Sequence, residues 1–284
     1  PLLLIANIVV WSDDLTPDKK LLRVTFLDVG KGDSFLVQFP NSGAILVDGG
    51  SGGINASADM GKNVVAPYLW NNGMKKLDAI IITHFHEDHL GGLLYILNNF
   101  DVGCVIDNGA VPTEDRMLYD EYKNIIRRKS IRRIVVGAGD EVTGFGGAKI
   151  FVMNPDKEED IVDSNDNSIA FKLEYKDFSI LFCADISSKV MGRLMSYGEF
   201  LKSDVVKIPH HGGFVGEENA AKEFFEAAAP KVSVISTGGK YRFFAASKRT
   251  RGLLDSLQSN IYETKKSGAI RIITNGSKFK VKGT

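Results

Sequence analysis

The sequence predicts a layered α/β fold made of two similar halves that pack face to face with a metal site between them. Strand-like apolar runs alternate with helical stretches, which favours this fold class. Each half contains a hairpin that ends in an acid, from Ser34 to Asp48 and from Ser168 to Asp185. Each hairpin is followed by a strand that ends in histidines, and the two strand ends hold all five histidines of the chain.

The elements are predicted in order along the chain. Strand-like runs lie at 21–28, 34–39, 44–48, 78–83, 102–107 and 132–136, and helical stretches at 63–74, 91–100 and about 117–129. The second hairpin turns near Lys176-Asp177, and helices are predicted at 187–202, 217–229 and 247–258. A last hairpin at 269–282 turns at Asn275-Gly276, which is a strong two-residue turn signal.

The composition argues against a protein that binds polyanions through its overall charge and against a disulfide-stabilised protein. The 35 basic and 35 acidic residues cancel, so a polyanion would be bound through a local patch and not through the overall charge. Two basic runs, 127–133 and 248–251, are either such patches or solvated helix ends. Cys104 and Cys183 lie in apolar, strand-like contexts and are interpreted as buried small hydrophobic residues, not as a disulfide.

The start of the chain is apolar. The run 2–11 is far shorter than the ~20 residues that span a bilayer. It is either the end of a membrane or signal segment or an ordinary buried element. Residues 12–20 are polar and are interpreted as a linker.

The segment Thr83–His89 carries the strongest functional signal. It packs three histidines and two acids into seven residues, directly after the apolar run 79–82. His84 and His86 share a face of an extended chain, and Asp88 and His89 approach from the turn that follows. Imidazole and carboxylate together suit zinc, with manganese and iron as harder alternatives.

The candidate ligands are too many for one tetrahedral ion and suit two adjacent divalent ions. Asp185 is either a bridging carboxylate or the N-cap of the next helix, for which Ser187 is the rival. One histidine of the second cluster completes the set, and His211 is preferred over His210. The full set of candidate ligands is His84, His86, Asp88, His89, Asp185, His210 and His211.

These residues resemble the metallo-β-lactamase fold family, whose signature is Thr-His-x-His-x-Asp-His. A finer resemblance is to the DNA-uptake competence proteins of the ComEC type, over about 21–282. The matching segments are Leu27–Ser34, Ile45–Gly50, Gly91-Gly92, Asn165–Ser168, Phe182–Ile186 and Lys207–Gly212.

The resemblance implies a four-layer αββα sandwich, two divalent metal ions (zinc or manganese) and hydrolysis. It implies a nuclease that acts on DNA, in particular single-stranded DNA. We predict that a hydroxide held by two metals attacks phosphorus and that Asp88 orients it. The resemblance also implies a membrane channel in the same longer polypeptide. Residues 1–20 are therefore predicted as the tail of a membrane segment plus a linker, and 21–284 as a hydrolase domain. The expected location is the outer face of a bacterial membrane, with secretion as an alternative.

Supporting roles are predicted for residues around the candidate ligands. Asp33 and Asp48 are predicted to hydrogen-bond the ligand histidines. Lys207, Lys240 and Arg242 are predicted to meet phosphate oxygens. Many members of the wider family carry a histidine in the middle motif, where this chain has none, and Asp166 is the predicted oxygen donor in its place.

One departure keeps other functions open. The competence branch usually carries Asn-x-Tyr-Gly-His-Pro before its last helix, and this chain has the segment 240–246 without that His and Pro. The alternatives to a nuclease are a small-molecule hydrolase of the lactonase or lactamase kind, and a catalytically weakened DNA-binding module.

Overall fold

The computed structural model describes residues 20–54, 56–158, 163–213, 216–238 and 246–283. The predicted membrane tail and linker at 1–20 fall outside these ranges, apart from Lys20. Within them, none of the helices combines the length and the apolar character needed to cross a bilayer.

The described residues form fifteen strands and seven helices. The strands are β1 (Leu22–Phe26), β2 (Phe35–Gln38), β3 (Ala44–Val47), β4 (Lys76–Ile81), β5 (Asp101–Asp107), β6 (Arg132–Val135), β7 (Glu141–Phe145), β8 (Ala148–Asn154), β9 (Ala170–Tyr175), β10 (Phe178–Phe182), β11 (Val205–Lys207), β12 (Val232–Ile235), β13 (Asn260–Glu263), β14 (Ile270–Thr274) and β15 (Phe279–Gly283). The helices are α1 (Ala66–Asn71), α2 (Glu87–Asn99), α3 (Arg116–Arg128), α4 (Ser188–Leu194), α5 (Glu218–Ala228), α6 (Lys248–Ser256) and α7 (Thr264–Ser267).

The strands form two sheets whose topology repeats. The first has the order β15-β14-β1-β2-β3-β4-β5-β6, and the second has the order β13-β12-β11-β10-β9-β8-β7. In the first sheet the hairpin β2–β3 is antiparallel, and β3, β4, β5 and β6 pair in parallel. In the second, the hairpin β9–β10 is antiparallel, and β10 to β13 pair in parallel. The predicted similarity of the two halves is confirmed for these five strands of each sheet, although the first sheet has eight strands and the second has seven.

Three apolar clusters hold together four layers, which are the two sheets and a layer of helices on the outer face of each sheet. The central cluster lies between the sheets, where Phe35 and Phe171 stack on Phe182 with ring centroids 4.8 and 4.6 Å apart. A second cluster packs helices α1, α2 and α3 on the outer face of the first sheet, and a third packs α4, α5 and α6 on the second. Burial of alternate faces of each strand against these clusters is the main stabilising term. The predicted αββα sandwich is therefore confirmed.

The parallel strands bring the functional loops to one edge of each sheet. Val47 at the end of β3 pairs with Ile81 at the end of β4, and Phe182 at the end of β10 pairs with Lys207 at the end of β11. In open α/β sheets, side chains that follow the carboxyl ends of parallel strands line the ligand crevice. Asp48, Thr83–His89, Asp185 and His210-His211 all follow such strand ends.

Several predicted boundaries are wrong. The helix predicted at 91–100 begins at Glu87, four residues earlier. The helix predicted at 187–202 is divided into α4 and a 3₁₀ segment, Met195–Leu201, which is kinked at Gly198. The hairpin β7–β8 and the strands β12 and β13 have no counterpart in the prediction.

Gly92, in the second turn of α2, allows the helix to lie against the backbone at Gly49 and Gly61. A Cβ at Gly92 would lie 2.1 Å from the Gly49 carbonyl oxygen and 2.7 Å from the Gly61 nitrogen. These neighbours are backbone atoms, so they cannot move aside without a shift of the helix.

The substitution Gly92→Ala is expected to lower the free energy of unfolding by about 3 kcal/mol, as overpacking of a rigid interior does. Gly192→Ala is the matched control, because Gly192 lies on an exposed position of α4 and its added Cβ would meet nothing within 4 Å. That change is expected to raise stability by up to about 1 kcal/mol through helix propensity. Urea denaturation of both variants measures the difference, and equal stabilities would contradict the close approach.

Candidate metal centre

The connection between β4 and α2 positions four of the candidate ligands. His84 and His86 lie in the extended stretch after β4, and His86 is the extended residue that precedes the helix. Asp88 and His89 lie in the first turn of α2, where an acid interacts favourably with the helix dipole. These candidate ligands therefore come from the end of a strand and from the start of the helix that follows it.

Asp48 fixes the orientation of His89. Asp48 is fully buried, and its two carboxylate oxygens accept hydrogen bonds from the backbone nitrogen and the hydroxyl of Thr83, at 2.9 and 2.7 Å. The Asp48 Oδ2 atom lies 2.8 Å from His89 Nδ1. A carboxylate can only accept here, so His89 Nδ1 donates and Nε2 is left for the site. The predicted contact between Asp48 and a candidate ligand histidine is confirmed.

The second half contributes Asp185 and a histidine loop. Ser187 is the N-cap of α4, and its side chain accepts a hydrogen bond from the Lys189 nitrogen at 3.3 Å. Asp185 is therefore not needed as the cap. His210 and His211 both have left-handed backbone conformations, with φ of 49° and 55°, which side-chain-bearing residues adopt at a cost of about 1–3 kcal/mol each. Strain of this kind is typical of functional loops.

The two halves meet in one buried cluster. His211 Nε2 lies 3.4 Å from Asp185 Oδ2 and 3.5 Å from Asp88 Oδ2, and His89 Nε2 lies 3.4 Å from the same Asp185 oxygen. Four overlapping groups of three residues have ligand atoms within 4.8 Å of one another. They are His84, His89 and Asp185; Asp88, His89 and His211; Asp33, Asp48 and His89; and Asp33, Asp185 and His211.

The donor atoms of this cluster fit a divalent cation. His89 Nε2, both ring nitrogens of His211, Asp185 Oδ1 and Asp33 Oδ1 are buried and have no hydrogen-bond partner. Buried polar atoms almost always have a partner, so a converging set without one indicates a ligand. Imidazole nitrogen and carboxylate oxygen are donors that suit zinc, manganese or iron.

Two acids of the cluster, Asp88 and Asp185, are held ionised. Burial raises the pKa of Asp88, but the neighbouring imidazoles of His211 and His89 outweigh it and lower the pKa below its usual range. Burial likewise raises the pKa of Asp185, and the charges of His211 and His89 outweigh it. Both carboxylates are therefore available as anionic ligands.

The histidines differ from one another. Burial lowers the pKa of His89, yet Asp185 and Asp48 raise it well above its ordinary value. For His211 burial is outweighed by Asp185 and Asp33, which raise the pKa to about 9. Burial and the charge of His89 lower the pKa of His84. A cation that enters this site is expected to displace protons from His89 and His211.

Two predicted ligands lie at the margin. His86 Nδ1 lies 3.1 Å from His84 Nε2, and His86 Nε2 lies 3.5 Å from Glu114 Oε2. His86 is therefore beside His84, although it is in none of the four close groups found among the described residues. His210 is also in none of them, and His211 is the histidine of its loop that faces the acids.

The structure corrects two predicted roles. Asp166 is outside the close groups, and its Oδ1 atom accepts a hydrogen bond from the Ser187 nitrogen at 3.1 Å, so it supports the start of α4. Lys207 is 0% exposed and its ammonium bonds to the Asp33 carboxylate, so it cannot meet a substrate phosphate from the surface. Lys240 and Arg242 lie outside the described residues.

Three residues near the cluster were not assigned a role from the sequence. Thr83 binds Asp48 as described above. Lys31, whose side chain is 46% exposed, places its ammonium 3.3 Å from Asp88 Oδ2. Glu114 reaches His86 from the loop before α3. Thr83 and Lys31 belong to the motifs quoted above and could have been found, whereas nothing in the sequence around Glu114 marks it.

Comparison with known proteins places this geometry in context. A profile described as the metallo-beta-lactamase superfamily matches residues 27–239. ComE operon protein 3 of Bacillus subtilis is 27% identical over 263 residues, which cover 88% of this chain and 32% of that protein. Competence protein ComA of Neisseria gonorrhoeae is 25% identical over 237 residues, which cover 83% of this chain and 30% of that protein. The chain thus spans about a third of the length of these curated relatives.

A solved structure shows the same fold. Igni18, described as a metallo hydrolase from the archaeon Ignicoccus hospitalis, superposes with a TM-score of 0.55 at 14% identity. The match covers 88% of this chain and 98% of that one. At this level of identity the likeness supports the αββα architecture alone.

Proposed function

This chain belongs to the metallo-beta-lactamase superfamily, and we propose that it is a metal-dependent phosphodiesterase that cuts DNA during competence-type DNA uptake. One observation carries the hydrolytic part: both halves contribute buried, unpartnered nitrogen and oxygen donors to one cluster. The similarity to two competence proteins over most of the chain supports DNA as the substrate.

The proposed ligands fall into two sets that share Asp185. The first set is His84, His86 and Asp185, and the second is Asp88, His89, His211 and Asp185. Two divalent ions, zinc or manganese, would supply Lewis acidity toward a phosphate oxygen and a lowered pKa for water.

The remaining chemistry belongs to the side chains. Asp88, held as an anion between His211 and Lys31, is proposed to orient the attacking water. Asp48 holds His89 in the tautomer that presents Nε2. The half-exposed ammonium of Lys31 is the described cation beside Asp88, and it is suited to hold a phosphate oxygen at the mouth of the site. Lys240 and Arg242 remain proposed phosphate contacts.

The first basic run does not support the proposed DNA contact. The Lys129 ammonium bonds to the carbonyl oxygens of Leu97 and Phe100 at 2.6 and 3.0 Å, so it caps the end of α2. Arg128 bonds to the Asn98 side chain at 2.8 Å. These cations have a structural role, as cations near a helix C-terminus often do. The second run, which begins at Lys248 in α6, lies nearer the His211 loop, because the Ser247 nitrogen donates to the Gly212 carbonyl oxygen at 2.8 Å.

The proposed setting is a larger membrane protein. Since the chain spans about a third of its curated relatives, we propose that it is the hydrolase domain of a longer polypeptide with a membrane channel. The domain would lie on the outer face of a bacterial membrane, with secretion as the alternative.

Cleavage of DNA is the direct test. Purified protein is incubated with an end-labelled single-stranded oligonucleotide and the matching duplex, with manganese, with zinc or with a chelator. We expect metal-dependent cleavage, preferentially of the single strand, and none by the His84→Ala/Asp88→Ala variant. A folded, metal-loaded protein that leaves both DNAs intact would contradict the proposal.

A pocket near the site favours a second candidate, a small-molecule hydrolase. A cavity of about 370 Å³ lies between α4, α5 and α6 and shares Pro209 and Gly213 with the histidine loop. Its walls include Met191, Phe225 and Leu253, and this size and apolar lining are those of a small-ligand pocket. A panel of lactone, lactam and thioester substrates in the same assay distinguishes the two candidates.

A further inference from the structure

A buried ion pair between the two halves has no evident role in folding. Lys207, at the end of β11, and Asp33, between β1 and β2, are each 0% exposed. The Lys207 ammonium bonds to Asp33 Oδ2 and lies 3.3 Å from the Ala184 carbonyl oxygen. Replacing such a pair with well-packed apolar side chains is often neutral or stabilising, so its presence suggests another function.

The pair leads directly into the metal cluster. The other oxygen of Asp33, Oδ1, is buried without a hydrogen-bond partner and lies 3.7 Å from His211 Nδ1. The opposite nitrogen of that ring, Nε2, faces Asp88 and Asp185. A continuous line of contacts therefore runs from the Lys207 ammonium through Asp33 and the His211 ring to the acids of the site.

A second arm reaches the acid that the two proposed ligand sets share. The Lys207 ammonium lies 3.9 Å from Asp185 Oδ1, which is buried and has no hydrogen-bond partner. One buried cation thus contacts both a carboxylate behind His211 and the carboxylate between the two ligand sets.

His89 and His211 are supported in parallel ways. His89 is backed by Asp48, whose carboxylate is held by the backbone nitrogen and hydroxyl of Thr83. His211 is backed by Asp33, whose carboxylate is held by an ammonium from the other half. Histidine ligands generally donate their second N–H to a carboxylate, which sets the tautomer and the ring orientation.

We propose that Lys207 and Asp33 are positioning residues that align His211 and Asp185 for metal binding, and that Lys207 makes this alignment depend on the docking of the two halves. The inference rests on the proposed metal site. Neither residue touches the substrate: the Asp33 carboxylate lies 3.7 Å from His211 Nδ1 as the proposed acceptor for that N–H, and Lys207 holds the carboxylate in place.

The key variant removes both charges and keeps the shape. Lys207→Met alone leaves an unpaired buried carboxylate and is expected to be unstable, so the double variant Asp33→Asn/Lys207→Met is the one that decides. Lys172→Met is the matched control, since Lys172 is also a buried lysine of the second sheet but bonds to the carbonyl oxygens of Phe200 and Lys202. Lys207→Arg, with Asp33 intact, tests rescue by another cation.

Two measurements on the folded variants report on positioning. Calorimetric titration with zinc or manganese gives the metal affinity, and long-range ¹H–¹⁵N spectra of the five imidazoles report the tautomer of His211. We expect the double variant to bind metal 10–100-fold more weakly and its His211 Nδ1–H signal to be lost, whereas Lys172→Met should behave like the wild type. Lys207→Arg should recover part of the affinity.

The outcomes separate this inference from the proposed function. Wild-type metal affinity and an unchanged His211 signal in the double variant would overturn the positioning role while leaving the metal site standing. Failure of the wild-type chain to bind either metal would overturn both. A purely structural pair would change the unfolding midpoint of the double variant without changing its affinity.

Discussion

Replacing Asp88 with alanine is expected to reduce metal-dependent hydrolysis by at least ~10²-fold, more than the loss of a supporting residue costs, with the fold kept. Asp88 is 7% exposed, and its carboxylate faces both His211 and Lys31. Its removal takes away a proposed ligand and the acceptor proposed to orient water. Initial rates on single-stranded DNA at saturating metal measure the effect.

The control for Asp88 is Asp120→Ala. The Asp120 side chain is 55% exposed and pairs only with Arg116 among the described residues, so its loss should cost less than about 1 kcal/mol and leave activity unchanged. Circular dichroism confirms that each variant is folded. Full activity in a folded Asp88→Ala protein would rule out the ligand sets proposed above.

Replacing Asp48 with alanine is expected to lower the free energy of unfolding by about 3–5 kcal/mol, because a buried charged network loses its central acceptor. The Thr83 nitrogen would lose its partner in a fully buried site, and the Thr83 hydroxyl and His89 Nδ1 would lose their shortest contacts, at 2.7 and 2.8 Å. Asp48 also has a φ of 54°, a conformation that alanine adopts less readily than aspartate or asparagine. Urea denaturation of the metal-free protein measures the change.

Asp48→Asn separates stability from metal binding. Its side-chain oxygen can still accept from Thr83, and asparagine tolerates the left-handed backbone, so the loss of stability should be smaller than with alanine. An amide has only one accepting atom, so it cannot replace both carboxylate oxygens of Asp48. If the amide oxygen accepts from the Thr83 nitrogen, His89 loses its fixed tautomer, and metal affinity should still fall 10–100-fold. A loss of less than about 1 kcal/mol in Asp48→Ala would show that the network contributes little to folding.

Most of the architecture was predicted from the apolar runs and from the repeated pattern of a hairpin followed by a strand that ends in histidines. The strands that precede the loops of the candidate site were predicted correctly. Each is buried on both faces, as in β4 and β11, and therefore appears in the sequence as an apolar run. In the hairpin β7–β8, β7 was missed because it is half-exposed and holds Gly144, so neither alternation nor an apolar run marks it. The strand β8 has the apolar run 150–153 and could have been predicted. The strand β12 was missed because it is short and has no turn signal of its own.

The details of the site were harder to predict. The start of α2 was placed too late because Gly91 and Gly92 weaken a helical pattern, although Gly91 is needed for the close approach to Gly52, and Gly92 for that to Gly49 and Gly61. The choice between His210 and His211 depends on a pair of left-handed residues, which no pattern announces. Lys207 was assigned to phosphate from its charge, whereas its apolar neighbours Val206 and Ile208 already indicated burial.

The order of strands in the first sheet has a consequence for synthesis. β1 lies between β2 and β14, and Leu22 pairs with Thr274, which leaves the ribosome roughly 250 residues later. Until then one edge of β1, with the apolar residues Val24 and Phe26, has no partner strand and can pair with another nascent chain. The hairpin β14–β15 therefore completes this sheet late in synthesis, and formation of the first sheet depends on a segment far from the loops of the candidate site.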